Sequence, residues 1–138
     1  MVSSNQPERP PEFFLDRGLG KTVALRLGEL GWCVHRITDY FPDDAADVTD
    51  PEWMDFGLFR GWIPLHKDGR IRGNPTEREP VERYNSPMFY LDNQQLRIDE
   101  MVRRIHMNQS KMYALVKRRR PSAACYAVND TGVHKRWP

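Results

Sequence analysis

The stretch Phe13-Phe14-Leu15-Asp16-Arg17-Gly18-Leu19-Gly20-Lys21-Thr22 sets the fold class of this chain. Three consecutive apolar residues form a short buried strand, and Asp16-Arg17-Gly18 ends it. Leu19, Val23, Leu27 and Leu30 then recur at helical spacing, and Gly31 supplies a natural helix stop. Trp32 to Ile37 reads as a second strand. Strand, turn, helix, strand is the opening unit of an alternating α/β protein.

The alternation continues outward from that unit. Thr49-Asp50-Pro51-Glu52 is a helix start, in which Thr49 or Asp50 serves as N-cap and Glu52 can close a capping box with Thr49. Pro51 suits the first turn, and the helix runs to about Arg60, where Gly61 stops it. Trp62-Ile63-Pro64-Leu65 is a third strand, closed by Lys67-Asp68-Gly69. Thr76 to Tyr84 forms a short helix interrupted by Pro80, and Met88 to Leu91 a fourth strand. Leu96, Met101, Val102, Ile105, Met112, Leu115 and Val116 line one face of a long helix from Asn93 to Arg118. Ala123 to Val128 is the last strand, and Asn129 to Pro138 a loose tail. This order predicts an α/β sandwich around a mostly parallel sheet, whose ligands sit at the carboxyl ends of the strands. The domain organisation is a flexible segment over 1–11, one domain over 12–128 and a tail over 129–138.

Composition narrows the class further. With 138 residues, 39% hydrophobic and 29% charged, the chain has the size and balance of one globular domain. Its mean hydropathy of −0.73 is polar. No apolar run approaches the roughly 18 residues of a membrane span, so no membrane association is expected. Met1 to Glu12 lacks the charged start and apolar middle of a signal peptide. Cys33 and Cys125 read as reduced thiols in apolar runs, which fits a cytoplasmic protein. The net charge of +2 conceals an asymmetry: residues 1–69 carry 12 acids and 7 bases, whereas residues 70–138 carry 7 acids and 14 bases. An acidic half beside a basic half suits a cation site next to an anion-binding surface.

Asp16 follows the first strand, Asp50 opens the helix before the third, and Asp68 follows the third. Each alone reads as a turn residue or a helix cap. Together, with the strands adjacent and parallel, they would converge on one edge of the sheet. Clustered carboxylates raise one another's pKa values, and a hard cation such as Mg²⁺ or Mn²⁺ relieves that repulsion. A cation so held activates water and offsets charge on a phosphodiester, the logic of a metal-dependent nuclease. Lys67, Arg70 and Arg72 lie beside Asp68 and could hold a nucleic-acid backbone. Lys117 to Arg120 reads instead as a solvated helix end. Gly18 to Thr22 imitates the end of a P-loop, but the glycine required five residues before Gly20 is Leu15, within the strand. The four histidines share no spacing, and His66 alone lies close to the acidic edge.

Three segments, Phe13 to Gly20, Thr49-Asp50-Pro51-Glu52-Trp53 and His66-Lys67-Asp68, together resemble PIN-like domains, and more narrowly the VapC-type toxins of bacterial toxin–antitoxin systems. Leu25-Arg26 and Leu30-Gly31 occupy the place of the segment that precedes the second strand in that family. The resemblance covers residues 12–72. His66 stands where threonine is usual, and Pro64 falls within a strand that should be central. The resemblance implies a three-layer α/β/α fold and a Mg²⁺- or Mn²⁺-dependent endoribonuclease. It implies that Asp16, Asp50 and Asp68 are catalytic metal-binding acids, with Glu52 or Asp39 as a fourth. Arg17, Lys67, Arg70 and Arg72 are the candidates for RNA contact. RNA as substrate, a cognate antitoxin as partner and a homodimer are implied in the same way. Two alternatives stand beside this reading: a non-catalytic PIN-like module that binds RNA or protein, and a nucleotide-binding protein built on the Gly18–Thr22 turn.

Overall fold

The computed structural model describes residues 9–41, 48–67, 73–118 and 122–138. Strand β1 (Glu12–Leu15) passes through a 3-10 turn (Arg17–Leu19) into helix α1 (Gly20–Glu29) and then strand β2 (Cys33–Arg36). A second 3-10 turn (Ile37–Asp39) follows, then α2 (Asp50–Phe59), β3 (Ile63–His66), α3 (Pro75–Arg83) and β4 (Pro87–Leu91). The chain closes with α4 (Ile98–Met107), α5 (Gln109–Val116), β5 (Ala124–Asn129) and β6 (Gly132–Trp137). The strands form one sheet in the order β2-β1-β3-β4-β5-β6. Every neighbouring pair is parallel except β5 with β6.

Side-chain alternation along the strands builds the layers. Phe13, Leu15, Ile63, Leu65, Phe89 and Leu91 join the core under α1, α4 and α5. Phe14, Met88, Tyr90, Cys125 and Ala127 join the other core, under α2 and α3. Helices on both faces of a mostly parallel sheet make the α/β/α sandwich. Phe14 anchors α2: its ring lies 5.3 Å from Trp53, 5.4 Å from Trp62 and 5.9 Å from Phe56. Gly57 lets α2 approach, since a Cβ there would run into the Phe14 ring. Burying an aromatic side chain contributes about 1.5–3 kcal/mol, so this contact fixes α2 firmly over β1.

Pro64 is tolerated in the central strand for a reason of direction. Leu65 O accepts from Asp16 N at 3.1 Å, so Leu65 turns its polar groups toward β1. Alternation then turns the nitrogen of Pro64 toward β4, and registered pairing with β4 begins only at Leu65. The missing donor falls where the ladder has not yet begun.

Two expectations are corrected. The long helix over 93–118 is two helices, because the Asn108 side chain donates to Arg104 O at 2.7 Å and to Asn129 O at 2.9 Å. Those bonds tie the junction of α4 and α5 to the end of β5 and favour a break over a continued helix. The segment over 129–138, expected as a loose tail, instead forms β6 as a hairpin partner of β5. Asn129 Oδ1 accepts from Thr131 N at 2.9 Å in the hairpin turn, and Trp137 packs against Arg78, whose guanidinium carbon lies 4.2 Å from the ring centroid. The expected flexible segment over 1–11 lies outside the described residues through residue 8. Cys33 and Cys125, on β2 and β5, form no disulfide.

Candidate active site

The strand order 2-1-3-4-5 places a topological switch between β1 and β3, where connections leave in opposite directions and a crevice opens at the carboxyl edge. Asp16 stands at that point, one residue beyond β1. Its carboxylate caps the first turn, with Oδ1 accepting from Leu19 N at 3.2 Å. Oδ2 accepts from Lys67 N, beyond the end of β3, at 3.4 Å. The acid is therefore pinned to both central strands. Gly18 permits the arrangement, because a Cβ there would lie 3.2 Å from Asp16 Oδ1. The Leu19 N–H that a phosphate-binding loop would offer to its ligand is already given to Asp16, which argues against the P-loop imitation.

His66 closes the same corner from β3. The register Leu15 to Leu65 carries Asp16 and His66 to the same face of the sheet. His66 is completely buried, with Nδ1 3.5 Å from Asp16 Oδ2. Among the described residues neither ring nitrogen has a hydrogen-bond partner. A buried polar group left so costs about 1–3 kcal/mol, and natural proteins keep such groups mainly where function requires them. Its ring lies 4.7 Å from Trp53, one turn into α2, so the start of α2 sits over the end of β3.

The other acids fall as follows. Thr49, not Asp50, is the N-cap of α2, and its Oγ1 accepts from Glu52 N at 3.3 Å. Asp50 is the first helical residue, and its side chain, like the whole of Asp68, Arg70 and Arg72, lies outside the described residues. Glu52 is exposed on the first turn of α2. Asp39, in the turn after β2, pairs with Arg36 at 3.6 Å. Among the described residues no three histidines, cysteines or acids gather closely enough to hold a metal ion. The chemistry of Asp16 nonetheless fits a hard cation. An ionised carboxylate has about four acceptor sites, and two long backbone bonds leave the rest for oxygen coordination.

Two features escaped the sequence reading. One is the burial of His66. The other is a cleft of about 290 Å³ beside Asp16, lined by Arg17, Lys21, Arg36 and Thr38 among others. The signal for the cleft was present in the pairing of β2 with β1, since the register sets Arg36 opposite Leu15, next to Asp16.

A family model described as a PIN like domain matches residues 11–93. Among curated proteins, "Putative ribonuclease VapC45" of Mycobacterium tuberculosis is 34% identical over 70 residues, which are 49% of this chain and 51% of that protein. The chain thus spans about half the length of the curated relative it matches. No solved structure matches the chain. The family match extends over β1 through β4, the strands that frame the Asp16 corner, and the chain belongs to the family of PIN-like domains.

Proposed function

We propose that this chain is a divalent-metal-dependent endoribonuclease, the toxin of a toxin–antitoxin pair. One observation carries the reading: a carboxylate pinned by two backbone N–H groups at the switch point of the sheet, 3.5 Å from a buried histidine that has no hydrogen-bond partner among the described residues. The curated relative, named as a ribonuclease of VapC type, supports the same reading.

Asp16 would hold the cation, with Asp50 and Asp68 completing the set and Glu52 or Asp39 assisting. When bound, Mg²⁺ or Mn²⁺ supplies Lewis acidity that activates water and offsets charge on the phosphodiester. The protein supplies position. Leu19 N and Lys67 N fix the Asp16 carboxylate in orientation, and His66 walls off the side facing α2. Lys67, Arg17, Arg70 and Arg72 are proposed to neutralise the RNA backbone near the reacting phosphate. An antitoxin would act by covering this edge.

The test is cleavage of total RNA by the purified protein in Mn²⁺, beside Asp16→Asn and Asp68→Asn. Discrete cleavage that falls by about 10³-fold or more in both variants, each shown to be folded by its melting curve, is expected for lost charge stabilisation of several kcal/mol. A folded wild type that binds RNA without turnover, and that Mn²⁺ does not stabilise, would make the chain a binding module.

A further inference from the structure

The Gly20-Lys21-Thr22 segment has no role in the reading above, yet it opens α1 at the rim of the cleft beside Asp16. We infer that this cleft is a phosphate subsite, which takes a backbone phosphate of the RNA next to the one that is cleaved. The inference rests on the proposed ribonuclease activity and adds to it where the substrate strand runs.

Among the described residues Arg17, Lys21 and Arg36 line the cleft, each from a different element. Arg36, the last residue of β2, is held in place: its Nη2 donates to Thr38 Oγ1 at 2.7 Å, and Nη1 lies 3.6 Å from Asp39. A guanidinium fixed by its neighbours loses little freedom on meeting a phosphate. Lys21 is exposed, and among the described residues it has no hydrogen bond or ion pair. Among the described residues of the lining, the carboxylate of Asp16 stands with these cations, and Asp39 pairs with Arg36. Cations from separate elements beside an acid that would bind metal suit an anion that reaches the metal site and continues past it.

Size and lining favour a phosphate with its sugar over a base. At about 290 Å³ the cleft lies at the small end of ligand sites. Among the described residues no aromatic side chain lines it, so they offer no stacking platform for a base. Contacts of this kind position a strand without reading its sequence.

The experiment measures binding of short single-stranded RNAs of unrelated sequence by fluorescence anisotropy, in EDTA so that nothing is cleaved, across a salt series. Wild type, Lys21→Gln and Lys21→Gln/Arg36→Gln are compared, with melting curves as fold controls. The double variant is expected to weaken every RNA about tenfold or more and to lower the salt slope by about 0.7 for each lost contact. The single variant is expected to show about half of that change in slope and carries the test if the double variant fails to fold. Unchanged affinity and slope in both variants would overturn the subsite. So would a loss confined to one sequence, which would mean base reading, or displacement of RNA by an acidic peptide at equal charge, which would assign the cleft to a protein partner. The two readings fail separately. A wild type that cleaves RNA while the variants bind normally removes the subsite alone. A folded wild type that neither binds nor cleaves any RNA removes the ribonuclease with it.

Discussion

At the carboxyl ends of β4 and β5, polar side chains are matched within the protein, whereas at the ends of β1 and β3 Asp16 and His66 are matched only in part. Asp92 accepts from Asn129 Nδ2 at 2.9 Å, Asn108 bridges Arg104 O and Asn129 O, and Thr131 Oγ1 donates to Asn129 Oδ1 at 2.7 Å. That end ties α4, β4, β5 and the hairpin together. At the other end, among the described residues, Asp16 accepts two long backbone bonds and lies 3.5 Å from Nδ1 of the buried His66 ring, which has no hydrogen-bond partner. Both ends share one edge and similar residue types. The difference separates polar groups that serve the fold from polar groups held ready for something outside it.

Mutation and solution conditions can break that contrast. The largest effect is expected from metal removal: EDTA should abolish RNA cleavage altogether, while added Mn²⁺ should raise the melting temperature of the wild type. His66→Leu should lower cleavage by about 10–100-fold, the usual cost of disturbing a group that orients a metal-site residue. Its stability should stay within about 1 kcal/mol of wild type, because a buried ring without a described hydrogen bond is replaced by a hydrocarbon. Asn108→Ala should do the reverse. It removes two side-chain hydrogen bonds to backbone carbonyls and should cost about 1–3 kcal/mol, several degrees in melting temperature, with cleavage per folded molecule unchanged.

The smallest effect concerns pH at the matched end of the molecule. Hydrogen bonds from Arg103 and Arg104 hold the Glu100 carboxyl at about 2, down from an ordinary 4.5. A lowered carboxyl contributes stability that is full above its unfolded value and is lost as pH falls toward about 2. Glu100→Gln should therefore flatten the decline in melting temperature between about pH 5 and pH 2, with no difference from wild type at neutral pH beyond that of a surface ion pair.

The layers of the fold were legible because uninterrupted apolar runs in β1, β3 and β4 alternate with amphipathic stretches. Asp16 was legible for a related reason, as an acid directly after a buried strand. The break at Asn108 was not, because a side chain that competes for backbone carbonyls leaves the hydrophobic period intact from Met101 to Val116. Nor was β6, an edge strand whose His134, Lys135 and Arg136 give it the polarity of a tail, a usual protection against edge-to-edge pairing. The burial of His66 has no periodic signature, since one histidine after Ile63-Pro64-Leu65 reads equally well as buried or exposed. The cleft at Lys21 and Arg36 depends on strand register, which joins residues 15 positions apart.

The most direct measurement sets Asp16→Asn beside Asp92→Asn and records, for each, the rate of Mn²⁺-dependent RNA cleavage and the melting temperature. The same chemical change is then made at the two ends of one sheet edge. The account predicts that Asp16→Asn loses cleavage by about 10³-fold while remaining folded, and that Asp92→Asn keeps its cleavage rate. Equal rates in the two variants, or loss of cleavage in Asp92→Asn alone, would contradict it.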